Sequence, residues 1–200
     1  TAFYETDQVL TISLHESGEF LFPGTGFVQD SGVGMGRGYS VNLPLFPHTD
    51  DETYLWAFRE VVPPLVAAFQ PDILVTQLGI DTHFLDPITH LRLTVQGYTR
   101  VVQEFARLSP GKWLVLGGGG YNIGAVIRGW TRAYGVMLDH EWPDGFPEIF
   151  RKQYGFEQLN DPEQLPLPQE ITDQVQKYAA NSVADLKYNV FPVHGLSRLA

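Results

Sequence analysis

Cysteine is absent from the 200 residues, which excludes disulfides, thiolate metal ligation and a cysteine nucleophile within the chain. Charge is scarce too: charged residues make up 18%, against about 25% in an ordinary soluble domain. What charge there is leans acidic, with 13 Lys and Arg against 23 Asp and Glu and a formal net charge of −10. A sequence-wide basic footprint for nucleic acid is missing, so no direct nucleic-acid partner is expected. No apolar run approaches the roughly 18–20 residues of a membrane span, so no membrane partner is expected either. The opening Thr1-Ala2-Phe3-Tyr4-Glu5 has no basic flank and no apolar signal core, and a cytoplasmic location is expected. It also lacks Met, which suggests a chain that begins mid-protein. The 44% of apolar residues is ample for a buried core, and the length suits one domain.

Along the chain, residues 8–15 alternate and are rich in β-branched types, which predicts a strand. The Gly-rich stretch from Gly18 to Gly38 is too long for a hairpin turn and precedes a short strand, Tyr39–Leu43. Thr49-Asp50-Asp51-Glu52 has capping-box spacing. The helix it opens carries Phe58, Val62, Leu65, Val66 and Phe69 on one face, and Pro63-Pro64 should kink or shorten it. Residues 72–79 and Trp113–Leu116 read as strands covered on both faces. Tyr98, Val101, Val102 and Phe105 predict one helix, and Ile123, Val126, Ile127, Trp130 and Tyr134 another. This alternation predicts an α/β fold, a parallel sheet with helices on both faces. Residues 140–200 are expected to form a surface excursion and a last helix, Pro168–Val183, with no boundary that would split the chain.

Sites in such sheets form beyond the carboxyl ends of the strands. The strand over 72–79 ends at Gly79-Ile80-Asp81-Thr82-His83, with Asp86 close behind, and the strand over 113–116 runs into Gly117–Gly120, Tyr121 and Asn122. Asp81 and Tyr121 are thereby brought to one edge. Asp81 and His83, two apart in extended chain, can face one metal; equally, Asp81 can cap the loop while His83 hydrogen-bonds within it. The glycine run can cradle a phosphate, but it lacks the Lys-Ser or Lys-Thr of a phosphate loop and the G-x-G-x-x-G of a dinucleotide fold. It can also serve close packing. Tyr121 is either core packing or a hydrogen-bond donor to a carbonyl that becomes an oxyanion, since phenols stay protonated at neutral pH.

The runs QLGIDTHFLDP (Gln77–Pro87), LGGGGYN (Leu116–Asn122) and FPGTG (Phe22–Gly26) together resemble the zinc-dependent histone deacetylases of the arginase/deacetylase superfamily. The DTHFLDP form is most similar to their bacterial acetoin utilization branch. The opening TAFYETDQVLTISLHE resembles the segment that follows the family's metal-binding D-x-H-H-G-D-G stretch. The resemblance covers about residues 1–138. It implies that Asp81 is a zinc ligand and that Tyr121 polarises the acetyl carbonyl. Phe22, Ile88 and Gly119 would line or floor an acyl-lysine channel. It further implies structural K+ or another monovalent cation at two places, one on the Ser13 hydroxyl and Leu14 carbonyl, the other on the carbonyls of Phe3, Thr6, Val9 and Tyr39. His83 matches no zinc ligand of the family, so the resemblance places it in the loop or behind the ligands.

The implied reaction is zinc-assisted hydrolysis of acetyl-lysine amides, on an acetylated protein such as a metabolic enzyme or on a small acetylated amine. Only Asp81 matches a zinc ligand, and the six histidines are scattered with no two adjacent. Residues 1–200 are therefore expected to be the C-terminal part of one deacetylase domain that needs its N-terminal part to complete the site. Alone they should hydrolyse negligibly and hold zinc poorly. A catalytically inert acyl-lysine-binding or scaffold module is the alternative, and a nucleotide-binding α/β domain a further one.

Overall fold

A computed structural model describes residues 2–164 and 166–198; the outermost positions of the 1–200 domain reading, Thr1, Leu199 and Ala200, and Leu165 within it, lie outside the described residues. The elements run β1 (Thr11–Glu16), β2 (Ser40–Leu45), α1 (Asp51–Phe69), β3 (Leu74–Leu78), α2 (Val95–Leu108), β4 (Trp113–Gly117), α3 (Ile123–Met137), α4 (Glu148–Tyr154) and α5 (Gln169–Asn189). The chain divides into two compact units. One comprises residues 1–49, 53–71 and 168–200, the other 50–52 and 72–167.

In the first unit β1 and β2 pair in parallel, Thr11 opposite Ser40 through Glu16 opposite Leu45. Every second residue of β2 turns inward, so Val41, Leu43 and Leu45 are buried together with Phe58, Val61 and Leu65 of α1 and Val183 and Leu186 of α5. Pro63 and Pro64 do not end α1, which runs unbroken through both. Each proline removes a helix hydrogen bond. Buried residues on either side of the pair, Val61 and Val62 before it and Leu65 after it, hold the helix to the core and offset that loss. The last helix also outruns its expected end, continuing from Val183 to Asn189 because Leu186 extends the buried face.

In the second unit β3 and β4 pair in parallel, Leu74 opposite Trp113 through Leu78 opposite Gly117. One face of this pair is covered by α2 and α3. Leu78, Ile80, Tyr98, Val102 and Ala133 form the core there, with Phe105, Trp113, Val115 and Val126 against it. Two polar tips tie both helices to the end of β3: the Tyr98 hydroxyl and the Trp130 indole N–H each donate to the Leu78 carbonyl, at 3.3 and 3.0 Å. The opposite face carries Val75, Leu114 and Leu116, which are 54%, 52% and 46% exposed. The expected burial of these strands on both faces is thus met on one face among the described residues. The stretch after residue 140 is not purely superficial. It holds α4 and returns to bury Leu159 and Asp161.

Candidate active site

The end of β3 and the end of β4 are joined directly, because the Ile80 N–H donates to the Gly119 carbonyl at 2.7 Å. This bond places the Asp81 loop beside the glycine run. Gly119 has to be glycine for a steric reason: a Cβ there would overlap the Asp81 carboxylate. Gly120, at φ +143, lies where a Cβ would meet the Ile80 and Val126 side chains. The run is therefore accounted for by close approach. A carboxylate lying against it also opposes a phosphate, which argues against the nucleotide reading.

Asp81 is half-buried, and burial first, then the nearby Asp86 charge, raise its carboxyl above the ordinary value. A carboxylate that burial and a neighbouring like charge both disfavour gains from a bound cation. Tyr121 lies just past the glycines, 57% exposed as a residue, and its hydroxyl has no partner among the described residues. Ile88 is 46% exposed on the same loop as Asp81. The second unit thus gathers Asp81, Gly119 and Tyr121 at the ends of two adjacent strands, with Ile88 on the connecting loop.

The loop itself is held by Asp86, whose carboxylate is 8% exposed as a residue and fully engaged. Its Oδ1 accepts the N–H groups of Ile88 and Thr89, at 2.9 and 3.2 Å, and its Oδ2 accepts the Tyr121 N–H at 2.8 Å. The Thr89 hydroxyl donates to the Asp81 carbonyl.

His83 is not a metal ligand, because both ring nitrogens are occupied. Its Nδ1 accepts the Leu85 N–H at 3.1 Å, so Nε2 carries the proton and donates to Asp161 at 2.9 Å. Asp161 also accepts the Val95 N–H at the start of α2, at 2.7 Å, and an Arg128 guanidinium N–H at 2.5 Å. This geometry places His83 in the loop, as the resemblance implies, and excludes a shared metal for Asp81 and His83. Sequence reasoning missed Asp161 and Arg128, which no motif marks.

The remaining predicted residues lie in the first unit. Phe22 is 92% exposed in the loop after β1. Ser13 and Leu14 lie in β1. The Thr11 N–H donates to the Tyr39 carbonyl at 2.9 Å, so Val9 and Tyr39 approach the same end of the strand pair. The His15 Nε2 lies 3.0 Å from the Gly26 carbonyl and therefore carries the proton, so the Ser13 hydroxyl donates to His15 Nδ1 at 3.0 Å. Burial lowers the His15 pKa, which favours this neutral form.

A family model described as the histone deacetylase domain matches residues 1–137. The chain belongs to the histone deacetylase family. It is similar to the acetoin utilization protein AcuC of Bacillus subtilis (strain 168), 40% identical over 160 residues that cover 76% of this chain and 41% of that protein. The AcuC protein of Staphylococcus xylosus is 41% identical over 149 residues, 72% of this chain and 39% of its own length. Among solved structures, an HDAC homolog complexed with SAHA aligns with a TM-score of 0.76 and 28% identity, covering 89% of this chain and 52% of that one. An HDAC homolog from Aquifex aeolicus aligns at 0.75 and 29%, with the same coverage. The fold is that of the arginase/deacetylase family. The chain spans about half the length, or less, of these relatives.

A hydrolytic zinc takes three protein ligands. Among the described residues no group of three His, Cys, Asp or Glu side chains converges to hold a metal. Asp81 fits as one ligand, and the described residues do not make up the set.

Proposed function

We propose that this chain supplies Asp81 and Tyr121 to a zinc-dependent deacetylase site of the acetoin utilization type, acting on acetyl-lysine amides. The observation that carries the reading is the joining of these two residues at adjacent strand ends, with Gly119 cleared for the Asp81 carboxylate. When bound, zinc supplies Lewis acidity for amide hydrolysis at neutral pH. Asp81 contributes one anionic oxygen ligand. Tyr121 presents its hydroxyl to the acetyl oxygen and donates a hydrogen bond as negative charge develops there. Ile88, an exposed apolar side chain on the Asp81 loop, suits the wall of a channel for the lysine stem.

The remaining zinc ligands and the general base come, on this reading, from the rest of the deacetylase domain. The exposed apolar face at Val75, Leu114 and Leu116 supports that, since it has the composition of a covered face. Monovalent cations on the Ser13 and Tyr39 neighbourhoods would be structural. A relative solved with SAHA supports a ligand-binding role for this fold.

Asp81→Asn tests the assignment in two ways. In the fold the ionised Asp81 is disfavoured, because its carboxyl is raised; its stability contribution is favourable at low pH and is lost as pH rises through the raised value. The metal-free variant should therefore melt at or above the wild type at pH 7. In the assembled enzyme it should lose zinc and acetyl-lysine turnover together, by atomic absorption and acetate release. Wild-type zinc content in the variant would refute Asp81 as a ligand.

The lack of a converging metal set among the described residues favours a second reading, an inert acyl-lysine-binding module. Acetyl-lysine peptide bound without acetate release, with zinc supplied, would establish it.

A further inference from the structure

We infer that Asp86 is a positioning residue that fixes Tyr121 in place relative to Asp81, and this rests on the reading of those two residues given above. A continuous path of hydrogen bonds connects their main chains. The Asp81 carbonyl accepts the Thr89 hydroxyl, the Thr89 N–H donates to Asp86 Oδ1, and Asp86 Oδ2 accepts the Tyr121 N–H. One buried carboxylate therefore closes the loop from the ligand to the phenol.

The need for such a clasp follows from what surrounds Tyr121. Gly117–Gly120 precede it, and a glycine run is the most permissive backbone a chain can carry. The Tyr121 side chain is mostly exposed and its hydroxyl is unpartnered among the described residues, so packing does not fix it. Among the described residues, this point of the chain is held by the Ile80–Gly119 bond on one side, by Asn122 on the other, which caps α3 through the Ala125 and Val126 N–H groups and reaches the Leu85 carbonyl at 3.3 Å, and by Asp86 on Tyr121 itself. Of these, only the Asp86 bond acts on Tyr121 directly. It is also charge-assisted, the stronger kind. A reacting phenol displaced by about 1 Å can lose on the order of 100-fold in rate.

Asp86→Asn separates positioning from folding. The amide oxygen still accepts from Ile88 and Thr89, while its NH2 now faces the Tyr121 N–H, donor against donor. In the assembled zinc enzyme this variant should lower kcat about 10–100-fold, the usual cost of removing a group that orients a site, with KM within about twofold and zinc content unchanged. Hydrogen exchange should show the Tyr121 amide losing protection. In a Tyr121→Phe background the same substitution should cost less than about twofold more, because two changes acting through one hydroxyl do not add.

A full penalty retained in the Tyr121→Phe background overturns the inference, as does zinc loss in Asp86→Asn or an unchanged Tyr121 amide. If Asp86→Asn does not fold, Thr89→Val breaks the same path one link away and is read by the same cycle with the same expected outcome. Turnover that survives Tyr121→Phe alone sinks the deacetylase reading of Tyr121. The exchange result then stands apart from it, and faster exchange still supports the clasp.

Discussion

Replacing Asp161 with alanine is expected to destabilise the second unit by about 3–5 kcal/mol, the cost of removing one partner from a buried ion pair. Asp161 and Arg128 have side-chain exposures of 2% and 7%, so little water is available to the arginine left behind. Three groups lose a carboxylate acceptor at once: the His83 Nε2–H, the Val95 N–H that opens α2, and the Arg128 guanidinium, which keeps only the Gly124 and Leu159 carbonyls among the described residues. Burial by itself would raise the Asp161 carboxyl. The His83, Val95 and Arg128 donors outweigh it and hold the group below its ordinary value of 3.8. A depressed pKa means that the ionised form favours the fold. Its contribution is complete above the unfolded value and is lost as pH falls through the lower, folded one. Asp161→Asn should therefore flatten the acid limb of a stability–pH curve, with a smaller loss than alanine at pH 7. Denaturant unfolding followed at Trp113 or Trp130 measures both. A loss under about 1 kcal/mol for alanine would show that the network does not hold the loop.

This network also marks where sequence reading stops. Strand and helix positions were legible because apolar periods of two and 3.6 are local, and the strand ends named the loops that carry Asp81 and Tyr121. The partner of His83 lies 78 positions away, in a stretch of prolines and acids with no periodicity. Nothing in either segment alone says that Asp161 turns inward. His83 was assigned to the loop by resemblance, and only the two bonded ring nitrogens show why it belongs there. Pro63 and Pro64 failed as a local signal for the converse reason: the helix is held by tertiary burial on both sides of them, which overrides propensity. The alternate exposure of β3 and β4 was likewise hidden, since a continuous apolar run does not say which of its faces is covered within this chain.

In the assembled enzyme of the proposed reading, Tyr121→Phe should lower kcat on an acetyl-lysine peptide about 100–1,000-fold, the usual cost of removing one donor to a developing oxyanion. The change deletes a single oxygen. Because the ring is mostly exposed and the hydroxyl has no partner among the described residues, stability should stay within about 0.5 kcal/mol of wild type. KM should move little, since the hydrogen bond strengthens only as charge builds on the acetyl oxygen. Zinc content should be unchanged, because Asp81 keeps its carboxylate and its loop keeps the Asp86 clasp on the Tyr121 main chain. That pattern separates the two residues cleanly. On the proposed reading, loss at Asp81 should fall on metal and rate together, and loss at Tyr121 on rate alone. Turnover within a few-fold of wild type would mean that the phenol is not the electrophile and that the acetyl oxygen is polarised by another group. A parallel loss of zinc would mean that Tyr121 acts through the Asp81 loop, in the reverse direction to the Asp86 path, and would move the chemistry of this site from the hydroxyl to the backbone that carries it.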